Sequence, residues 1–387
     1  MTKLSLNLSG LVPYLLALIV FVQNPIWLIW DFYYSILAFL VLILIAIVLG
    51  NKILFKSRLI FFLYLISFLY FGIYHNLPTI RISSLVSLFV ILTVFNITIV
   101  DFNKGLIILR DLLFYIVFIS IVAWITNGVF NFYSPFSTLV YSEGKGDFGT
   151  TVLENYIFYI QEANSLFPRF YSVFDEPGML GVLSAFILLG FKNDISSFRN
   201  FIIFIGGVFT FSLAFYSLFI ISLILININS FKYLIYSIFI ILSILFFIFY
   251  FDFMNDSLSF LIFERISNFS DFGIEQRMSD SLNIYYSNYI FSPTSIFGEG
   301  TDFFKYNSNL LSGQGYKIFI IEYGLFGIFL ILLIYLSFIR VRNWFSFCCL
   351  VIFILSFLQR PFLFTPWQII LFSMVVNSNG SSNRIYN

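Results

Sequence analysis

Long apolar stretches separated by short polar connections run through most of the 387-residue chain. A membrane-spanning helix needs about 20 mostly apolar residues. Stretches of this kind lie near 6–23, 32–49, 59–75, 83–100, 108–127, 178–191, 233–251, 316–339, 343–358 and 361–376. The pattern predicts an all-α polytopic membrane protein, with residues 1–387 forming a single integral membrane domain.

The run 201–228 decides the topology, because it is long for one span and short for two. Its middle, GGVFTFSLAFYS, interrupts the apolar sequence with paired glycines and hydroxyl side chains. If the run forms two helices, the chain has about 12 spans, and Lys232, Arg340 and Arg384 fall on the same side as Lys3 and Lys52. Positive residues in short connections mark the cytoplasmic side. We therefore predict two helices here and both termini in the cytoplasm.

This topology leaves two long extracytoplasmic segments, a first large loop at 128–177 and a second at 252–315. Loops longer than about 15 residues are usually functional or disordered. Both segments are rich in Tyr, Phe, Ile and Leu, which argues against disorder. The working surface is therefore expected on the outer face.

The composition indicates that much of the protein surface contacts the lipid bilayer, and it excludes several classes of protein. Hydrophobic residues make up 60% of the chain and charged residues 10%, whereas a soluble domain carries about 25% charged residues. A net charge of +1 offers no basic field for nucleic acid. The adjacent Cys348 and Cys349 lack metal-ligand spacing, and the only histidine is His75. We expect no metal and no cofactor.

The first loop contains TVLENYIFYIQEANSL, which favours an amphipathic helix. Thr151 and Glu154 have capping-box spacing. Apolar residues then recur near helical spacing at Leu153, Tyr156, Ile157, Ile160 and Ala163. Such a helix is either a lid over a cavity or ordinary loop packing, and the sequence does not separate the two.

The stretch RFYSVFDEPGMLG leads from the first loop into the next span. Pro177 is favoured at the first helical position, so Asp175 or Glu176 is the expected N-cap. Capping does not require the nearby Arg169, or Gly178 with its room for close approach. A helix N-terminus beside an arginine suits a phosphate group.

The second loop carries a matching arginine, in GIEQRMSDSLNIYYSNYIFSPTSIFGEGTDF. Arg277 lies on a predicted helix that begins near Asp271 and ends before Pro293. The apolar stripe of this helix is Ile274, Met278, Leu282 and Tyr285. Gly298-Glu299-Gly300 is predicted to form a tight turn. The next span, KIFIIEYGLFG, holds Glu322 within its apolar run, where a carboxylate is functional by default.

The two outer loops, the Arg-plus-EPG motif and the series R…GEG…EYGLFG resemble the O-antigen polymerase and ligase superfamily. The nearer resemblance is to its Wzy-type polymerases of surface polysaccharide. In residues it covers about 165–185 and 275–328. It implies a glycosyltransferase-type enzyme of the bacterial inner (cytoplasmic) membrane. That enzyme moves a growing glycan from undecaprenyl diphosphate to the terminal sugar of a new undecaprenyl-diphosphate-linked repeat, in O-antigen or capsule biosynthesis.

The resemblance also implies partners and residue roles. The partners are the lipid-linked oligosaccharide, the bilayer, a chain-length regulator and a flippase, with no nucleic acid. Guanidinium groups suit a departing diphosphate, and a carboxylate suits an acceptor hydroxyl that must lose its proton. The resemblance implies Arg169 and Arg277 as catalytic residues, and the chemistry adds Glu176 as a catalytic base, with Asp175 and Glu322 as alternative bases. We expect substrate to be bound by Asp175, Pro177, Gly178, Glu299 and Glu322.

Other functions fit the sequence less well. Related ligases carry a histidine just before the late glycine-containing helix, where this chain reads NLLSGQGYKIFIIEYG; this favours a polymerase over an O-antigen ligase-like transferase. A lipid-linked oligosaccharide flippase should have short loops and charges within its helices, which is the opposite pattern. A membrane acyltransferase needs a catalytic histidine among the helices, and only His75 is present.

Overall fold

The structure is a computed structural model that is mostly helical. It describes residues 8–23, 58–75, 82–130, 132, 134–141, 151–163, 169–174, 176–227, 280–307, 310, 316–340, 343–359 and 362–378. The helices are α1 (Val12–Val22), α2 (Arg58–Ser67, continued as π-helix over Phe68–Tyr74), α3 (Ile82–Val94), α4 (Ile99–Phe130), α5 (Pro177–Gly190), α6 (Phe198–Phe209), α7 (Leu213–Asn227), α8 (Asp280–Tyr289), α9 (Thr294–Phe297), α10 (Phe303–Tyr306), α11 (Tyr316–Phe338), α12 (Trp344–Gln359) and α13 (Pro366–Val376).

Two of the described helices are long and apolar enough to cross a membrane. They are Ile99–Asn127 within α4 and Tyr316–Phe338, which is α11. Several shorter apolar helices pack with them. The predicted spans 32–49 and 233–251 lie outside the described residues, so the count of about 12 spans stays a prediction. One boundary was wrong, because α4 begins at Ile99 and makes the expected connection before residue 108 helical.

The division of the run 201–228 into two helices is confirmed. Helix α6 ends at Phe209 and α7 begins at Leu213. Between them Phe211 has a positive φ of 47°, and the backbone N–H of Ser212 donates to Oγ1 of Thr210. The hydroxyl residues thus satisfy backbone groups where the apolar run is interrupted.

The core is built around two short helices, α5 and α13. Every residue of α5 and of α13 is buried, as expected for helices that are apolar all round. Aromatic rings connect them to α12, since Phe353 stacks on Phe186 at 3.9 Å and meets Phe372 edge-on at 4.8 Å. Both helices therefore face protein on all sides and leave contact with the surroundings to longer elements such as α4 and α11.

The predicted amphipathic helix in the first loop was wrong. Residues 137–162 form an antiparallel sheet in the order β1 (Ser137–Tyr141), β2 (Thr151–Asn155) and β3 (Ile160–Glu162). Burial along β2 alternates with the two-residue period of a strand, and Leu153 and Ile160 pack on Tyr171. A short segment rich in β-branched and aromatic residues is compatible with both the helical and the strand spacing of apolar positions. Pairing with β1 stabilises the strand.

The predicted helix in the second loop is confirmed for its described part. Helix α8 ends at Tyr289, before Pro293, and its stripe residue Leu282 is fully buried. Residues 271–279, including Arg277, lie outside the described residues. The loop then continues through α9 and α10 to the start of α11.

Candidate functional site

The entrance to α5 is built largely as the sequence predicts. Pro177 is the first helical residue, and Glu176 occupies the N-cap with an extended backbone at φ −136°. The capping role expected of its carboxylate was wrong, since the Glu176 side chain makes no capping hydrogen bond. Asp175 lies outside the described residues. Gly178 is buried within the first turn.

Arg169 caps the C-terminal end of α6, a role that the sequence did not reveal. Its Nε–H donates to the carbonyl of Thr210 at 3.0 Å, and Nη2–H donates to the carbonyl of Phe211 at 3.3 Å. Carbonyls at a helix C-terminus lack intrahelical partners and carry the negative end of the dipole. These bonds use two of the five guanidinium donors and fix the group between two carbonyls.

Tyr171 lies within electrostatic reach of Arg169 and of two carboxylates. The hydroxyl of Tyr171 donates to Oε2 of Glu162 at 3.3 Å. Burial raises the pKa of Tyr171; the charges of Glu162 and Glu176 raise it further, and the charge of Arg169 opposes them. We call these residues, Glu162, Arg169, Tyr171 and Glu176, the arginine cluster. Nothing in the sequence spacing pointed to Glu162 or Tyr171, because strand β3 brings them together.

The arginine cluster lies well below the C-terminal end of α4. Helix α6 runs alongside α4, from an ion pair between Arg199 and Asp111 at 2.8 Å to a ring contact between Phe209 and Trp124 at 5.7 Å. Phe170, next to Arg169, also contacts Trp124, at 5.6 Å. Trp124 precedes the last residue of α4 by six positions, or about 9 Å at 1.5 Å per residue. Phe170, and Arg169 next to it, therefore lie alongside the last turns of α4 rather than beyond its end.

The GEG turn of the second loop, Gly298-Glu299-Gly300, is hydrogen-bonded to a break in α11 at Gly324. We call this junction the α11 lock. Gly324 has a non-helical backbone (φ 64°, ψ 177°) inside this helix. The carbonyls left unpaired by the break accept from the turn, as Glu299 N–H donates to Ile321 at 2.7 Å and Gly300 N–H to Glu322 at 3.0 Å. A Cβ on Gly298 would lie 2.6 Å from the backbone nitrogen of Gly324. Only glycine permits this approach.

Tyr70 and His75 complete the lock from α2. The Tyr70 hydroxyl lies 2.8 Å from the Phe297 carbonyl and 2.6 Å from the Tyr323 carbonyl, one on each side of the junction. His75 is 3% exposed and packs edge-on against the rings of Tyr70 and Tyr323. Thr301 donates to the His75 carbonyl at 2.8 Å. The sequence did not reveal this arrangement, because 227 positions separate Tyr70 from Phe297 and 226 separate His75 from Thr301.

An open groove of about 300 Å³ lies beside the exposed carboxylate of Glu299. Its lining consists of Tyr285, Asn288, Tyr289, Ser292, Thr294 and Glu299. The rings of Tyr285 and Tyr289 stack at 5.7 Å, and the hydroxyls of Ser292 and Thr294 are hydrogen-bonded at 2.8 Å. An aromatic wall with neutral hydroxyl and amide groups suits a polar, uncharged ligand.

No protein-family model, curated protein or solved structure matches the chain. In the described part of the chain, no group of three His, Cys, Asp or Glu residues is arranged to hold a metal ion.

The structure groups the predicted site residues into two places. Arg169 and Glu176 both act on the pKa of Tyr171, and Pro177 and Gly178 follow Glu176 in the first turn of α5, whereas Glu299 and Glu322 lie at the break in α11. Glu322 is half-buried, as its apolar neighbours predict, and its backbone carbonyl takes part in the lock. The roles inferred for Arg277 and Asp175 remain predictions about residues outside the described part.

Proposed function

We propose that the chain is an integral membrane polymerase of lipid-linked oligosaccharide repeat units. It would transfer a growing glycan from undecaprenyl diphosphate to the terminal sugar of a new undecaprenyl-diphosphate-linked repeat, for O-antigen or capsule. The bond between the anomeric carbon and the diphosphate oxygen breaks, and a glycosidic bond to the acceptor hydroxyl forms. Undecaprenyl diphosphate leaves, and the acceptor proton passes to a base.

The observation that carries this proposal is a guanidinium fixed by two hydrogen bonds, with the carboxylate of Glu176 acting on the same tyrosine, Tyr171. Arg169 is fixed by two helix-end carbonyls, and Glu176 stands at the adjacent entrance of α5. A positioned permanent charge stabilises negative charge that develops on a leaving diphosphate without reorganising during the reaction. The fork geometry of arginine matches phosphate oxygens.

In this proposal, Arg169 holds the departing diphosphate and Glu176 accepts the proton of the acceptor hydroxyl. The half-buried location of Glu176 fits a carboxylate that exchanges a proton with substrate rather than with bulk water. Arg277 would provide a second cation, and Glu299, in the groove wall, would bind sugar hydroxyls. No step requires a metal ion.

The topology is part of the proposal. With about 12 spans, both termini lie in the cytoplasm of a bacterial inner membrane and both large loops lie outside. A periplasm-active reporter fused after Asn387 should give no signal, whereas a cytoplasm-active reporter at the same position should. The reverse result would overturn the even number of spans.

Deletion of the gene in its host, with complementation, separates the candidate functions. A polymerase deletion should leave single repeats on the cell surface, and the wild-type gene should restore the ladder. Loss of a ligase would instead leave long glycan on the lipid carrier. Loss of a flippase would leave single lipid-linked repeats on the cytoplasmic face. Either of these last two patterns would contradict the proposal.

A further inference from the structure

The turn between β2 and β3, Tyr156 to Tyr159, is attached to the buried side of α4. Oγ–H of Ser120 donates to the carbonyl of Phe158 at 2.5 Å, and Nδ2–H of Asn127 donates to the hydroxyl oxygen of Tyr159 at 2.6 Å. Ser120 and Asn127 are seven residues apart, which places them two turns apart on one face of the helix. The turn therefore lies along α4 rather than above it.

The attachment point is deep within the apolar length of α4. Ser120 precedes Phe130 by ten residues, or about 15 Å. No charged residue occurs between Asp111 and the end of the helix. That charge-free stretch is about 30 Å long, equal to the hydrocarbon thickness of a bilayer. If α4 crosses a membrane, the turn lies at the level of the hydrocarbon.

The backbone of the turn is suited to that environment, because three of its four N–H groups and three of its four carbonyls are hydrogen-bonded within the protein. The N–H of Ile157 donates to Oδ1 of Asn155 at 2.8 Å. The N–H groups of Tyr156 and Phe158 donate to the carbonyls of Tyr159 and Tyr156, each at 2.9 Å. Non-helical backbone is tolerated in a membrane only when such groups find partners within the protein.

The side chains at the tip are apolar and point away from the protein. Ile157 is 47% exposed and Phe158 is 53% exposed. Ile157 adopts a φ of 72°, which is unusual for a β-branched residue and is maintained here by the surrounding hydrogen bonds. At the same level α4 exposes Ile119, Val122 and Ile125. The exposed apolar surface of the helix thus continues onto the turn.

At the opposite end of the sheet, the sequence of the connection is charged rather than apolar. Tyr141 pairs with Thr151, and the connecting residues SEGKGDFG include Glu143, Lys145 and Asp147. A sheet with a charged connection at one end and an apolar turn at the other is expected to stand across the membrane boundary with the charged end in water.

We propose that the turn Tyr156–Tyr159 is inserted into the outer half of the bilayer, with Ile157 and Phe158 against lipid hydrocarbon chains. The first loop is then a re-entrant element, and the arginine cluster that it carries is held below the membrane surface. The proposal requires α4 to cross the membrane, but it does not depend on the polymerase function.

Depth-dependent fluorescence quenching tests this insertion. The full chain carrying C348A and C349A receives one cysteine, labelled with an environment-sensitive fluorophore, and is reconstituted in phosphatidylcholine nanodiscs. Val122→Cys is the lipid-facing control and Thr151→Cys the control at the outer end of β2. Phe158→Cys should be quenched by lipids with a nitroxide in the acyl chain within about twofold of Val122→Cys. It should resist iodide, whereas Thr151→Cys should show the reverse.

Two outcomes would overturn the insertion. Quenching of the Phe158→Cys label by iodide and not by lipid would place the turn in water. Protection from both quenchers would place it against protein. Neither result would bear on polymerisation, which a ladder assay of the unlabelled C348A/C349A protein measures separately.

Discussion

Two interruptions of apolar helical structure in the described part of the chain are closed in different ways. Between α6 and α7 the end is closed by a charged side chain, with Arg169 donating to the carbonyls of Thr210 and Phe211. Within α11 the break at Gly324 is closed by backbone groups of the GEG turn and by the Tyr70 hydroxyl. The first closure places a cation at the break, whereas the second is made by backbone N–H groups and a tyrosine hydroxyl.

This difference indicates separate duties for the two regions. Close backbone contact at glycine leaves no space for substrate, so the α11 break serves to hold the second loop in place. An arginine at a helix end brings a permanent, planar cation to that end. The proposed function therefore places ligand chemistry at the arginine cluster and the positioning of Glu299 at the α11 lock.

Gly324→Ala should have the largest effect, because it breaks the lock itself. A Cβ at this position would lie 2.5 Å from the backbone nitrogen of Gly298, and the residue has a φ of 64°. Strained backbone of this kind costs about 1–3 kcal/mol for a residue other than glycine, before any clash is counted. We expect little or no monodisperse protein by size-exclusion chromatography in detergent. A wild-type elution profile and yield would show that the lock is dispensable.

Arg169→Lys should come next, with normal yield but polymerisation slowed by about 100-fold. Lysine keeps the positive charge but cannot donate to two carbonyls and a phosphate through a planar fork. Arg340→Lys is the matched control, since Arg340 also caps a helix end, through the carbonyls of Val94 and Phe95. The measurement is the ladder length at equal protein levels. Ladders of equal length from Arg169→Lys and Arg340→Lys would show that Arg169 has no role in polymerisation beyond capping a helix end.

Glu176→Gln should slow polymerisation by about tenfold while preserving the fold. The amide keeps the shape of the side chain but cannot accept the acceptor proton. The effect is smaller than for Arg169 because a diphosphate is a good leaving group and the demand on the base is modest. Initial rates of repeat addition in membranes measure it. An unchanged rate would transfer the base assignment to Asp175 or Glu322.

Gly300→Ala should have the smallest effect and serves as the control for Gly324→Ala. Gly300 has a φ of 92°, but a methyl group added to it would meet no atom within 4 Å. Only the backbone strain of about 1–3 kcal/mol remains, without the clash that Gly324→Ala adds. Yield and ladder should stay near wild type. If Gly300→Ala lowered the yield as much as Gly324→Ala, the close backbone contact would not be the reason that the α11 lock requires glycine.

The sequence predicted local features better than long-range ones. Pro177 at the start of α5, the break after Phe209 and the end of α8 before Pro293 all follow from nearby residues. The sheet was missed because its pairing depends on β1, which lies outside the segment with helical spacing. The capping of α6 by Arg169 was missed for the same reason, since 41 positions separate Arg169 from Thr210.

Polymerisation by purified Arg169→Ala tests the central claim most directly. Wild-type protein, Arg169→Ala and Arg340→Ala would each be reconstituted at equal concentration with undecaprenyl-diphosphate-linked repeat units from the host, and the products separated by length. The account predicts long products from wild type and Arg340→Ala. It predicts only single repeats from Arg169→Ala at a normal yield of folded protein. Long products from folded Arg169→Ala would contradict it.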